Sequence, residues 1–90
     1  MIVVAPALMS GRDVARELVR DVPDDVLELT VQFGPEQYPT RSFIDELVHQ
    51  TLVEQDLRRL TLRAAAADTA ELATEAAKRY SVTDKLVFAD

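Results

Sequence analysis

The sequence predicts a small two-layer α/β domain, with a mostly parallel sheet and helices packed on one face. Three observations predict it. Segments whose apolar residues recur every second position alternate with segments at helical spacing, the pattern of repeated β-α-β units. Within the segment from Val26 to Phe33, Leu27, Leu29, Val31 and Phe33 alternate with Glu28, Thr30 and Gln32. One face of that strand is therefore apolar and the other polar, whereas a strand covered on both faces would read as a continuous apolar run. Finally, the chain has 90 residues, and 12 of its apolar residues are Ala. Eleven Leu, 11 Val, two Ile, three Phe and two Tyr remain, enough for one two-layer core and too few for a sheet covered on both sides.

The elements follow in order. Ile2-Val3-Val4-Ala5 is a first strand stopped by Pro6. Ser10 and Asp13 have the spacing of a capping box, although Asp is shorter than the usual Glu or Gln. Val14, Ala15, Leu18, Val19 and Val22 then give a helix from Gly11 to Val22, ended by Pro23. After the Val26–Phe33 strand, Gly34, Pro35 and Pro39 hold a loop through Thr40. Ser42 with Asp45 repeats the capping spacing, and Phe43, Ile44, Leu47, Val48, Thr51 and Leu52 form a helical stripe to about Gln55. Leu60, Leu62 and Ala64 alternate with Arg59, Thr61 and Arg63, a second half-buried strand. Asp68 and Glu71 form another capping pair, and Ala70, Ala73, Ala76, Ala77 and Tyr80 line a third helix whose small side chains permit close packing on the sheet. Lys85–Phe88 is a last strand. If the two best strands are neighbours, Glu28 pairs with an arginine across the open face, where a partner has room to dock.

Charge narrows the function. Ten basic against 16 acidic residues give −6, the wrong sign for a nucleic-acid binder or for an anionic membrane surface. There is no cysteine, so disulfides, thiolate chemistry and Cys-ligated zinc are excluded, and a reducing cytoplasm is favoured. Met1-Ile-Val-Val-Ala-Pro has no basic stretch and too short an apolar run for a signal peptide or a bilayer span. No cofactor motif is present: Gly11 and Gly34 stand alone and make no phosphate-cradling loop.

Few residues offer chemistry. His49 is the only histidine, one helical turn after Asp45. With Glu46 these give at most three metal ligands, on a helix face expected to be solvated because it lies opposite the apolar stripe. Ser42 and His49 are two turns apart on one helix, about 10 Å of rise, too far to act together in a triad. Arg58, Arg59 and Arg63 form a basic cluster that the surplus of acids can pair. Leu8-Met9 reads as packing or a loop edge. Ser42 has two readings. As a helix cap it accepts a backbone N–H bond worth about 1 kcal/mol. As a phosphoacceptor, with Thr40 the less favoured alternative, it would place about two negative charges at the positive end of a helix.

Several segments resemble the STAS-like domain family of unknown function. Ser10-Gly-Arg-Asp-Val-Ala-Arg-Glu-Leu is similar to the first helix of that family, with Gly11 in place of a serine before Arg12 and Ala15. Leu27-Glu-Leu-Thr-Val-Gln-Phe resembles its core strand, and Leu60-Thr-Leu-Arg-Ala-Ala its later strand and turn. Thr40-Arg-Ser-Phe-Ile-Asp-Glu-Leu resembles its most recognisable segment, Ser-Phe-x-Asp-Glu-Leu at a helix start, carried here by Ser42, Phe43, Asp45, Glu46 and Leu47. The likeness covers about residues 10 to 75. Gln32 departs from it where the family has an acid, and Gly34-Pro35 where it has Gly-Val.

The resemblance implies a binding module and not an enzyme. In the related anti-sigma-factor antagonists, a Ser or Thr at a helix start is phosphorylated by a partner kinase and the charge switches binding; Ser42 is similarly placed. The expectation is a cytoplasmic regulatory domain, bacterial or phage, monomer or homodimer, that binds a protein partner such as a histidine-kinase-like ATPase. Gly34, Gln37, Tyr38, Arg41, Ser42, Asp45 and Glu46 would form the contact. The alternatives are a phage or mobile-element conflict protein that binds a host or phage protein, and a small metal-dependent enzyme at Asp45, Glu46 and His49.

Overall fold

The computed structural model describes all 90 residues. Four strands alternate with three helices: β1 (Ile2–Val4), α1 (Arg12–Arg20), β2 (Glu28–Gln32), α2 (Arg41–Val48), β3 (Arg59–Arg63), α3 (Ala67–Arg79) and β4 (Leu86–Ala89). The strands lie in the order β1-β2-β3-β4 and every pairing is parallel. Each crossover therefore carries one helix. Leu29, Val31, Leu60 and Leu62 are buried on one face, while their alternates Thr30, Gln32, Thr61 and Arg63 stay half-exposed on the other. The helices cover one face only, with α2 between α1 and α3. The period-2 alternation had implied this arrangement.

Phe43, Ile44, Leu47 and Val48 of α2 are fully buried against the sheet and form the centre of the core with Leu52, Leu60 and Leu62. Truncating such a residue to Ala typically costs 2–5 kcal/mol. On α3 the expected small-residue stripe is present: Ala73, Ala76 and Ala77 are fully buried, and Tyr80 is the helix C-cap. Glu28 and Arg59 are register partners, and their side chains pair on the open face at 3.3 Å.

Several local expectations are corrected. Helix α1 starts at Arg12 after a Gly11 cap with extended backbone, and Ser10 makes no cap. Its last helical residue is Arg20, although Val22 is still buried in the turn that follows. Leu27 lies outside β2 and is half-exposed, its carbonyl accepting from the Arg58 amide at 2.8 Å. Asp68 is already inside α3, which begins after Ala66 without a side-chain cap. Ala64 leaves the strand pattern: it is exposed, with φ of 60°, in the left-handed region that favours glycine. The last strand is displaced by one residue, to Leu86–Ala89.

The stripe that ends near Gln55 is not one uniform helix. From His49 to Glu54 the backbone widens to π geometry, shown by the Gln55 amide donating to the Gln50 carbonyl at 3.0 Å. The buried Thr51 hydroxyl donates to the Leu47 carbonyl at 2.7 Å. That bond satisfies a carbonyl in the last turn before the register changes.

Candidate functional site

Two neighbouring regions carry the residues singled out from sequence. One is an exposed groove at the carboxyl ends of the strands. The other is a charge cluster between the helices, with buried carboxylates and half-exposed guanidinium groups.

The groove lies between the loop after β1 and the loop after β2. Gln37 holds the two together: its Oε1 accepts from the Gly34 amide at 2.5 Å and its Nε2 donates to the Pro6 carbonyl at 3.3 Å. A Cβ on Gly34 would meet Gln37 Oε1 at 3.2 Å, so glycine suits this close approach. The Thr40 amide adds a bond to the Met9 carbonyl at 3.0 Å. The resulting groove encloses about 320 Å³, and its lining includes Leu8, Met9, Ser10, Gln37, Tyr38 and Thr40. Leu8 is 72% and Tyr38 68% exposed, while Met9 is buried. Leu8-Met9 is thus half packing and half surface.

Thr40, not Ser42, caps α2. Its Oγ1 accepts from the Phe43 amide at 3.2 Å. The helix begins two residues earlier than the Ser42 cap would require, which puts Ser42 in the first helical turn. There it is exposed beside exposed Arg41. The threonine at position 40 followed by the apolar Phe43 was the available signal, and Ser42 obscured it by matching the same spacing to Asp45.

Asp45 and Glu46 overturn the expectation of a solvated face. Each is only 5% exposed. Because α2 is flanked by α1 and α3 and floored by the sheet, the strip opposite its apolar stripe is roofed by side chains from both neighbours. Asp45 Oδ2 accepts from Arg12 Nη1 at 2.8 Å and from the Tyr80 hydroxyl at 2.7 Å, and Oδ1 pairs with Arg79. Glu46 Oε1 accepts from Arg12 Nη1 at 3.1 Å; Oε2 accepts from Arg16 Nε at 3.0 Å and Gln50 Nε2 at 2.8 Å. All four carboxylate oxygens are therefore engaged, and no buried side-chain polar atom lacks a partner. The i, i+4 pair of Arg12 and Arg16 on α1 was a readable sign of this contact.

The electrostatics follow from these contacts. Burial pushes the Asp45 carboxyl up, but hydrogen bonds from Arg12 and Tyr80 and the charges of Arg12 and Arg79 outweigh it, so the group is held below the usual carboxylate range. Glu46 is likewise held down, burial being outweighed by bonds from Gln50, Arg16 and Arg12. The Tyr80 phenol is raised, first by its bond to Asp45 and then by burial.

His49 is half-buried, its ring centroid 5.0 Å from that of Tyr80 and its Nε2 3.5 Å from Glu54 Oε1. No group of three His, Cys, Asp or Glu side chains converges to hold a metal ion, and the carboxylates that would have served are bound to guanidinium groups. Of the residues expected to meet a partner, Gly34 and Gln37 shape the groove, and Tyr38, Arg41 and Ser42 are exposed. Asp45 and Glu46 are turned inward. No helix is long and apolar enough to cross a membrane. Compared with known proteins, the chain matches no protein-family model, no curated protein and no solved structure.

Proposed function

We propose that this chain is a regulatory protein-interaction domain without catalytic activity, similar in its working to anti-sigma-factor antagonists and acting in the cytoplasm. It binds a protein partner through the Leu8–Tyr38 groove and the first turn of α2. Phosphorylation of Ser42 switches that binding. The observation that carries the reading is the division of labour at the start of α2. Thr40 supplies the cap, so the exposed Ser42 can be modified without unmaking the helix. A phosphate there would sit in the first helical turn, where the helix dipole tolerates negative charge. It would also add about two charges two residues beyond Thr40, which lines the groove that exposes Leu8 and Tyr38, and oppose a partner that buries them. An ATPase of the histidine-kinase-like type suits the role of partner, by the same likeness to the antagonists.

The test is capture of the partner from source cells with wild type, Ser42→Ala, Ser42→Asp and Tyr38→Ala, with mass spectrometry of Ser42. The expected result is a single partner retained by wild type and Ser42→Ala and lost with Ser42→Asp and Tyr38→Ala, and a phosphorylated fraction of Ser42. Equal retention by all four chains, with Ser42 never modified, would refute both the surface and the switch.

A further inference from the structure

The open face of the sheet is not a featureless polar surface. Register aligns its side chains in three rows across the strands. Glu28 and Arg59 form the first; Ile2, Thr30, Thr61 and Val87 the second; Val4, Gln32, Arg63 and Ala89 the third. Ile2 is 61%, Val4 72% and Val87 37% exposed. Apolar side chains thus flank a polar centre. The face also differs in charge from the rest of the molecule. Two arginines against one glutamate lie on it, in a chain of net charge −6.

We infer that this face binds a second copy of the chain, through a twofold axis that runs between the two sheets and along the strands. Such an axis keeps strand direction and reverses strand order. It sets β2 opposite the other copy's β3, and β1 opposite its β4. Each row then meets its own complement. Glu28 faces the second copy's Arg59 and Arg59 its Glu28, so the existing pair at 3.3 Å becomes a ring of four alternating charges. Ile2 meets Val87 and Val4 meets Ala89, which covers the exposed apolar positions. Thr30 meets Thr61, and each hydroxyl can both donate and accept. Gln32 meets Arg63. Gln32 already donates its Nε2 to the Phe33 carbonyl at 3.2 Å, which leaves Oε1 free to accept from a guanidinium. Aligned sheet packing, with strands within about 30° of each other, has this geometry.

Self-complementarity in charge and in apolar placement selects a second copy over an unrelated partner. Size sets the strength. Four strands at about 4.8 Å spacing and five residues at about 3.3 Å rise give a footprint of roughly 300 Å². That is well below the roughly 800 Å² per partner of stable complexes, so the dimer is weak and reversible.

Sedimentation equilibrium from micromolar to millimolar concentration tests this. The wild type is expected to show a concentration-dependent monomer–dimer equilibrium. Glu28→Arg gives a ring of four positive charges and Arg59→Glu one of four negative charges, so each alone should dimerise more than roughly a hundredfold more weakly. An equimolar mixture of the two sets a pair of arginines opposite a pair of glutamates and should restore the dimer. Val4→Glu, on an edge strand away from the ring, should weaken the dimer independently of how those two variants fold. A wild type that stays monomeric at millimolar concentration overturns the inference. So does a dimer indifferent to all three substitutions, or one lost in both charge variants and not regained on mixing.

Discussion

Ala64 and Thr40 show how single residues set the ends of elements here. Ala64 holds φ at 60° directly after β3 while its amide donates to the Ala89 carbonyl at 2.8 Å, the bond that closes the end of β4. A left-handed non-glycine residue costs roughly 1–2 kcal/mol, and glycine avoids that at some cost in chain entropy. Ala64→Gly is therefore expected to raise stability by about 0.5–1 kcal/mol, measured by urea unfolding. At the start of α2, Thr40→Ala should cost about 1 kcal/mol through loss of the cap, while Ser42→Ala should stay within about 0.5 kcal/mol of wild type. Equal losses in both would mean that Ser42 shares the capping. The Asp45 and Glu46 carboxyls lie below their ordinary range in the folded chain. Their contribution to stability is then complete above the unfolded values of about 4. It is lost as pH falls from there through the lower folded values, because the unfolded chain takes up protons first. Stability measured from pH 7 down to 2 should show this fall, and Asp45→Asn should flatten it while lowering stability at pH 7.

At the scale of elements, α3 is defined by how closely it sits on the sheet. Ala73, Ala76 and Ala77 are at most 1% exposed. Ala76→Leu inserts three carbon atoms into that contact and should cost roughly 1–3 kcal/mol, read as a drop in thermal midpoint. Helix α2 poses the opposite problem, since six consecutive residues, Phe43–Val48, are buried. Periodicity identified its sheet-facing stripe correctly because that stripe depends on one neighbour. It misjudged the opposite side because that side depends on two, α1 and α3, whose approach no local pattern encodes. The π turn at His49–Glu54 was equally illegible: Thr51 and Leu52 are buried within it, and no local pattern marks the change of register. The strands were more legible. For Glu28–Gln32 and Arg59–Arg63, the side-chain period of 2 is also the period of burial. Leu27 failed because it lies beyond the ladder, where alternation no longer determines which side is covered.

For the whole molecule, the alternation of patterns gave the layer architecture, and the polar alternates gave the uncovered face. The groove at the strand ends was readable only as a loop, because Gln37 joins it to Pro6 across 31 positions of sequence. The charge cluster was not readable as a cluster, since it draws Arg12, Asp45 and Tyr80 from three separate helical segments. Stability should be graded across the sheet. The pair β2 and β3 is flanked on both sides, whereas β1 and β4 each have one neighbour. Native-state hydrogen exchange is expected to be slowest for the amides of Leu29, Val31, Leu60 and Leu62 and faster by orders of magnitude in β1 and β4.

Strictly sequential strand order has a mechanical consequence. Met1 leads into one edge of the sheet and Asp90 follows the other, and because all strands run the same way the two ends also lie at opposite ends of the strands. A pull between them draws β1 and β4 in opposite directions along their own axes. The load falls on all three strand pairings in shear, so the hydrogen bonds of a ladder must yield together and cannot be unzipped one at a time. A tether at these two points would therefore transmit tension through a sheet whose weakest resistance to heat and denaturant lies at the very edges where the force enters.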